Sequence, residues 1–379
     1  MKTRPHRLLA LLVLAVCVAS SPAAMRPVRA AAVETLPDRL SDQEFWKLSS
    51  EFSEPNGFFQ SDNLVSNERS YQFVVPTLMR QRGRGAYLGV APDQNFTFIA
   101  ALEPRVAFIV DIRRGNLHEH LMYKALFELS HDRADFYSRL FSRKRPEGLG
   151  ALSGAQEIEA AFAEVPSSEA LYRENLRTIE DHLTRKHGFA LSDEDLKGIE
   201  YVYTQFFTFG PSITYQSSSR GNSPIPAGSR SYFGRANMPS YADLQAATDA
   251  DGRNHSYLAN EENFRFLKTF ESRNLLVPVV GDFAGSKALR SVGQYLSDHG
   301  ATVTAFYVSN VEQYLFQNGV WQAFYRNIAA LPLDESSVFI RSISGTEVLD
   351  PIRALLRDHA DGRLQSYVDL RYRGSRQER

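Results

Sequence analysis

Cysteine is almost absent: of 379 residues only Cys17 is one. Once an amino-terminal leader is removed the chain has no thiol. That excludes an intramolecular disulfide, a thiol nucleophile and a cysteine metal site. No Gly-x-Ser-x-Gly elbow is present, which argues against a serine hydrolase of the α/β type. The full Gly-x-Gly-x-x-Gly turn of a nicotinamide dehydrogenase is missing too. There is no excess of positive charge, with 43 Lys and Arg against 44 Asp and Glu. No internal repeat is visible, so a solenoid is not expected. What remains is an ordinary globular balance, 43% apolar and 23% charged, in a chain long enough for one large domain or two smaller ones.

The first thirty residues form a separate pattern. Lys2, Arg4 and Arg7 precede the apolar run Leu8 to Ala19, and Ser21-Pro22-Ala23 or Val28-Arg29-Ala30 offers small residues for cleavage. This is the three-part layout of a secretory signal peptide, and it predicts an exported protein, periplasmic or secreted. The run has twelve residues, short of the about 20 that span a bilayer. The membrane enters only if this leader is kept as an uncleaved anchor. Val16 stands where a lipoprotein has a small residue before its cysteine, so lipidation of Cys17 is not expected. Cleavage after Ala30 removes five basic residues and no acid, leaving 38 basic against 44 acidic residues and a formal charge of −6. That disfavours a nucleic-acid partner.

Residues 31–70 read as polar and loop-like, with a short helix near Asp42 to Leu48. Within them Ser61-Asp62-Asn63-Leu64-Val65-Ser66-Asn67-Glu68 is dense in hydrogen-bonding side chains. It reads either as turns and a helix cap or as a segment folding over a ligand site. Residues 71–80 lead into the core as helix or strand. A helix follows from about Leu117 to Ser130, with Leu117, Leu121, Ala125 and Leu129 on one stripe. Residues 131–210 look mostly helical, with Ser167 or Ser168 and Ser192 as caps and a stop at Gly210-Pro211. The basic run Arg139 to Arg145 reads as a solvated helix end. Seventeen of the thirty residues 211–240 are Ser, Gly, Pro or Asn, the composition of a lid or a disordered segment. Alternation resumes at residue 258, with a helix to 270. It continues with strands over 275–280, 302–308, 337–343 and 366–372 and helices over 286–299, 311–331 and 350–359, the second broken near Gly319.

No metal is expected. His118-Glu119-His120 sets two imidazoles two residues apart on a helix, where they diverge. Asp249-Ala250-Asp251-Gly252 has its glycine at the fourth position, where the EF-hand loop needs it at the sixth.

The chain is organised around residues 85–116. Ala86 to Val90 is an apolar run carrying Gly89. Pro92, Asp93 and Asn95 make a turn and a helix cap. Phe96 to Leu102 gives about two helical turns before Pro104. Val106 to Val110 is a second apolar run, closed by Asp111. Continuous apolar strands indicate a sheet covered on both faces, as in parallel α/β proteins. The expected fold is α/β: a Rossmann-like, mostly parallel sheet with helices on both faces, and a large helical insertion at about 131–270 within a single domain over 31–379. Strand ends then collect Gly89, Asp111, Asp282 and Asn310 along one edge.

This order resembles a class I S-adenosylmethionine-dependent methyltransferase. The resemblance implies a small-molecule site with S-adenosylmethionine as cofactor. Gly89 would let the methionine part approach the backbone, and Asp93 would lie beside it in the same turn. Asp111 would hold the ribose hydroxyls, Asp282 would lie near adenine, and Asn310 with Glu312 would face the methyl group. The blocks Ser61 to Glu68, Tyr87 to Asn116 and Leu275 to Leu315 also resemble an uncharacterised family of exported bacterial proteins expected to carry such a core. Two features depart from the methyltransferase pattern. Ala91 and Pro92 follow Gly89 where further glycines are usual, and the insertion is large. Export adds a conflict, because S-adenosylmethionine is made in the cytoplasm. Two functions follow: methyl transfer to an unknown acceptor, or a non-catalytic binding protein of the cell envelope that kept the fold.

Overall fold

The computed structural model describes residues 35–217 and 238–377. The predicted leader and most of the predicted lid lie outside them. The apolar runs form strands β1 Ala86–Gly89, β2 Val106–Asp111, β3 Leu276–Val280, β4 Val303–Ser309 and β5 Val338–Ile343, and a sixth strand, β6, covers Thr346–Pro351. They make one sheet in the order β3-β2-β1-β4-β5-β6. The first five are parallel and β6 is antiparallel to β5. Every residue of β1, β2 and β3 is buried. Successive side chains of a strand point to opposite faces, so both faces of the sheet are covered. The fold is Rossmann-like α/β, as expected. The chain builds outward from β1 through β2 to β3, then returns to place β4 on the other side of β1. At such a reversal the carboxyl ends of the strands leave a crevice.

The connection from β2 to β3 holds the helical insertion. It starts with Arg114–Leu129 and runs through Arg133–Phe141, Ala155–Ala163, Glu169–Asp181, Asp193–Phe209, Tyr241–Ala246 and Glu261–Ser272. Ser168 and Ser192 cap two of these helices through their hydroxyls, as their spacing indicates. The insertion shares the core of the sheet. Phe96, on the helix after β1, packs edge-on against Phe127 and Tyr257, and Phe127 packs on Phe136 and Phe264.

Three local expectations change. Residues 366–372 are not a strand but the start of the helix Tyr367–Gln377, which Ser366 caps by accepting the Asp369 amide while Asp369 accepts the Ser366 amide. Asp350 belongs to β6, and the helix after it is Ile352–Ala360. The hairpin turn Ser344-Gly345 has φ of 55° and 83°, the pair of left-handed residues that a two-residue turn between twisted strands needs. The basic run 139–145 is fully solvated only at Lys144, and its arginines are drawn into contacts. Arg139 pairs with Asp135 at 3.2 Å, Arg145 grips Asp132 at 2.9 and 2.8 Å, and Arg143 donates to the Phe162 carbonyl at 2.7 Å.

Beyond β4 the sheet is tied by buried charge. Arg341 on β5 is 1% exposed. It meets Glu312 at 2.7 and 2.9 Å and also pairs with Asp350 on β6. Asp350 in turn pairs with Arg373 of the last helix. Removing one partner of such a network leaves the others charged and dry. Arg341→Ala is therefore expected to lower the unfolding free energy by about 3–5 kcal/mol, measured by urea unfolding. A loss below about 1 kcal/mol, the range of exposed pairs, would mean that water reaches the network.

Candidate functional site at the strand ends

The turn after β1 is built by Asn95. Its amide donates to the carbonyls of Val90, Ala91 and Pro92 at 2.8, 3.2 and 2.7 Å, and its oxygen accepts the Tyr87 hydroxyl at 2.7 Å. A Cβ on Gly89 would sit 2.0 Å from Asn95 Oδ1. Gly89 is a glycine to admit Asn95, not a ligand, and it does not line the cavity described next. Ala91 has φ of 67°, a left-handed conformation that costs an L residue about 1–2 kcal/mol. Its carbonyl also meets His120 Nε2 at 3.0 Å. Burial lowers the His120 pKa to about 4, so the ring is neutral and the contact places its proton on Nε2.

Outside the ends of β1, β2, β3 and β4 lies a cavity of about 220 Å³. The turn Val90–Pro92, Asp111, Asp282 and Asn310 line it, so three of the sequence-predicted residues, from three different strands, are brought together. Phe59 and Tyr314, which also line it, pack edge to face on each other, with ring centres 5.2 Å apart. Asp282 Oδ1 accepts the Ala284 amide at 2.9 Å. The Asn310 side chain does not cap the helix Val311–Gln317 that it precedes. Asp111 has a close partner that its sequence position only hints at, Arg113 two residues on. Oδ1 accepts the Arg113 amide and Nε at 2.8 and 3.0 Å, and Oδ2 accepts Nη2 at 2.9 Å.

The other wall is residues 54–70, which run along the sheet edge in strand order. The Glu54 amide donates to the Val280 carbonyl of β3 at 2.8 Å, and the Gly57 amide to Ile112, just past β2, at 2.8 Å. The Glu54 carboxylate accepts the amides of Asp282, Lys287 and Ala288 at 2.9, 2.8 and 3.1 Å. It thereby fills a helix amino terminus, the kind of place where anions dock. Arg113 reaches the Asp62 carbonyl. Phe58, Phe59, Asn63, Ser66 and Asn67 complete the cavity. Of the two readings of residues 61–68, the strap over a cavity is the one the structure has.

The strap ends in a carboxylate that sequence reasoning passed over. Glu68 accepts Gln94 Nε2 at 2.7 Å, the Tyr307 hydroxyl at 2.7 Å and the Ser309 hydroxyl at 2.5 Å. Gln94, Tyr307 and Ser309 all line the cavity. Ser309 has φ of 50°, a non-glycine residue in the left-handed region at the end of β4. Glu347 on β6 is buried near Glu68, and burial together with the Glu68 charge pushes its pKa up. Glu347 therefore keeps its proton at neutral pH. Only Glu68 itself was visible in the sequence, without its partners, since those are more than twenty residues distant.

Two predicted residues lie elsewhere. Glu312 spends both oxygens on Arg341 and also accepts the Tyr325 hydroxyl at 2.6 Å, so it is a structural anion and does not reach the cavity. Asp93 is 1% exposed and turns away from the cavity. It accepts Gln245 Nε2 at 3.2 Å and the Tyr257 hydroxyl at 3.4 Å, and it does not cap the helix Gln94–Leu102. The two imidazoles of His118-Glu119-His120 do diverge, His118 to Asp195 at 2.8 Å and His120 to the Ala91 carbonyl. Glu119 lies buried between them, and burial, ahead of the charges of Asp93 and Asp111, raises its pKa well above the usual range.

Residues 63–194 and 227–364 match a family model described as a domain of unknown function, DUF7790. The chain belongs to this family. The DUF7790 match opens at Asn63 inside the strap and closes at Leu364, so it takes in all six strands and most of the insertion. The family description assigns no activity. No curated protein matches the chain.

Asp93 gives the clearest pH dependence in this DUF7790 chain. Burial pushes its pKa from 3.8 up to about 7. A raised carboxyl binds its proton more tightly folded than unfolded. Its stabilising contribution is complete below the unfolded value and is lost as pH rises through about 7. Asp93→Asn is expected to change stability little at pH 4. At pH 8 it should raise stability by up to about 4 kcal/mol, flattening that part of the profile in urea unfolding. An unchanged slope between these pH values would show that Asp93 is hydrated.

Proposed function

We propose that the cavity at the strand ends binds an adenosyl ligand of the S-adenosylmethionine type and that the protein is a methyltransferase-like enzyme of the α/β class. The observation that supports this reading is the convergence of Asp111, Asp282 and Asn310 on one cavity, walled by the rings of Phe59 and Tyr314. Aromatic rings beside convergent polar side chains suit a heterocyclic ligand such as a purine nucleoside. The residues present fit the group. Asp111 Oδ2 takes one bond from Arg113 and keeps a lone pair for a ribose hydroxyl. Asp282 supplies a carboxylate for the base, and the Asn310 amide lies free of its helix. When bound, the cofactor supplies an electrophilic methyl group. An acceptor oxygen or nitrogen would then lose its proton to Ser309 Oγ as the Ser309 proton passes to Glu68 Oε1, 2.5 Å away. Export rests on the sequence of residues 1–30 and is part of the same reading.

One observation favours the alternative, a non-catalytic envelope protein that kept the fold. Arg113 already engages both oxygens of Asp111, and a methyl donor made in the cytoplasm does not reach an exported site. Calorimetric titration of the full chain with S-adenosylmethionine and S-adenosylhomocysteine separates the two. Micromolar binding, weakened at least tenfold in Asp111→Asn and in Asp282→Ala, is expected if the cavity is an adenosyl site. Ala91→Gly removes the left-handed side chain beside the ligand and is expected to keep or improve that binding. No heat and no thermal shift at millimolar ligand would overturn the enzyme reading and leave the binding protein.

A further inference from the structure

A second cluster lies apart from this cavity, and none of its residues lines it. After the helix Glu169–Asp181 the chain makes one π turn, His182–Lys186, in which the His187 amide donates to the His182 carbonyl at 3.1 Å. A π turn closes an i to i+5 hydrogen bond and occurs frequently at functional sites. Here it sets His182 and His187 on one side, with ring centres 5.0 Å apart. In an α-helix, side chains five apart point away from each other. Both Nε2 atoms aim at one atom, Glu128 Oε2, each at 3.0 Å. The side chains of Glu128, His182 and His187 are 3%, 7% and 6% exposed.

The hydrogen bonding around that oxygen does not close. Glu128 Oε2 faces His182 Nε2, His187 Nε2 and Lys186 Nζ, the last at 3.1 Å. A carboxylate oxygen has about two lone-pair sites. Its other oxygen, Oε1, is taken by Lys124 at 2.8 Å. His187 is held at both nitrogens by carboxylates, with Nδ1 2.7 Å from Asp42 Oδ1. The Nδ1 contact fixes the His187 ring with its Nε2 turned on Glu128.

We propose that Glu128, His182 and His187 form a zinc-type divalent cation site, with Glu128 monodentate through Oε2. A cation among the three atoms relieves the crowding at Glu128 Oε2. His187 then gives its Nδ1 proton to Asp42 and its Nε2 lone pair to the metal, the carboxylate–histidine–metal arrangement that fixes tautomer and ring orientation. The three ligand atoms lie within 4.8 Å of one another. Bonds of about 2.0–2.2 Å at tetrahedral angles put ligand atoms about 3.3 Å apart, so small side-chain shifts suffice. Imidazole and carboxylate ligands without thiolate suit zinc and its neighbours. Lys186 is the residue that must leave, and its side chain is 60% exposed, as is 42% of the Asp42 side chain. Both stand at the entrance. Lys124 stays on Oε1, and its charge keeps the affinity moderate. The ion would clip the helix Arg114–Leu129 to the π turn in a chain whose single cysteine, Cys17, allows no intramolecular disulfide.

The test is zinc titration of the metal-stripped full chain by calorimetry, with cobalt(II) as a spectroscopic probe. One zinc per chain is expected, with micromolar or tighter affinity, together with the intense visible absorption of four-coordinate cobalt and a higher Tm. His182→Ala and His187→Ala should each weaken binding at least tenfold, and Asp42→Asn about tenfold. Lys186→Ala frees Glu128 Oε2 and is expected to tighten binding severalfold, an effect that a damaged fold cannot imitate. Stoichiometry near zero, binding unchanged in both histidine variants, or binding unchanged in Lys186→Ala would each overturn the proposal.

Discussion

The open carboxyl edge of a parallel sheet is the constraint on which this structure depends. Five parallel strands end together, and their last peptide groups and first turns need partners. Residues 54–70 supply them in the order of the sheet, from β3 at Glu54, past β2 at Gly57 and Asp62, to β4 at Glu68. Ser70 then reaches Glu347 and the Gly345 carbonyl at the β5–β6 hairpin. The strap leaves one gap, over Asp111, Asp282 and Asn310, and that gap is the cavity. Site and strap are therefore a single construction. A ligand entering the cavity meets side chains already fixed by the need to satisfy strand ends.

Arg113 shows how this fixes the chemistry. It is 8% exposed, and its guanidinium joins Asp111 to the Asp62 carbonyl. A buried arginine between a carboxylate and a main-chain carbonyl sets the height of the strap above β2. It also removes most of the acceptor capacity that Asp111 would offer a diol. Stability of the strap and openness of Asp111 oppose each other, so the same residue decides between a ligand site and a relic of one.

The sheet was legible because its strands are buried on both faces and write themselves as unbroken apolar runs. The strand order, with its reversal at β1, came only with the structure. The sixth strand was not legible: Thr346–Pro351 alternates apolar and polar residues over a short length, and the left-handed Ser344 gave no turn signal of its own. Residues 366–372 misled in the opposite direction, since Tyr367, Val368 and Tyr372 favour strand, while Ser366 with Asp369 three residues on is a capping box. For the site, Asp111, Asp282 and Asn310 could be placed because a strand end is a local feature. Gly89, Asp93 and Glu312 could not. Their roles depend on Asn95, Tyr257 and Arg341, and which face of a turn a side chain takes is decided by those partners.

Cross-links of charge take the place of disulfides in this chain. Arg133 with Glu261 ties the insertion to itself, Arg114 and His118 with Asp195 tie its first helix to Asp193–Phe209, and Arg341 with Glu312 and Asp350 ties the hairpin to β4. Such pairs add little net stability, because desolvation offsets most of the attraction. What they do is penalise every arrangement that leaves one partner buried alone. A chain with a long helical excursion between two adjacent strands has many alternative packings of apolar faces, and hydrophobic burial distinguishes poorly among them. Paired charges at long sequence separation distinguish well. The cluster around Glu128 extends this logic to its limit, because there three nitrogen atoms crowd a single buried carboxylate oxygen.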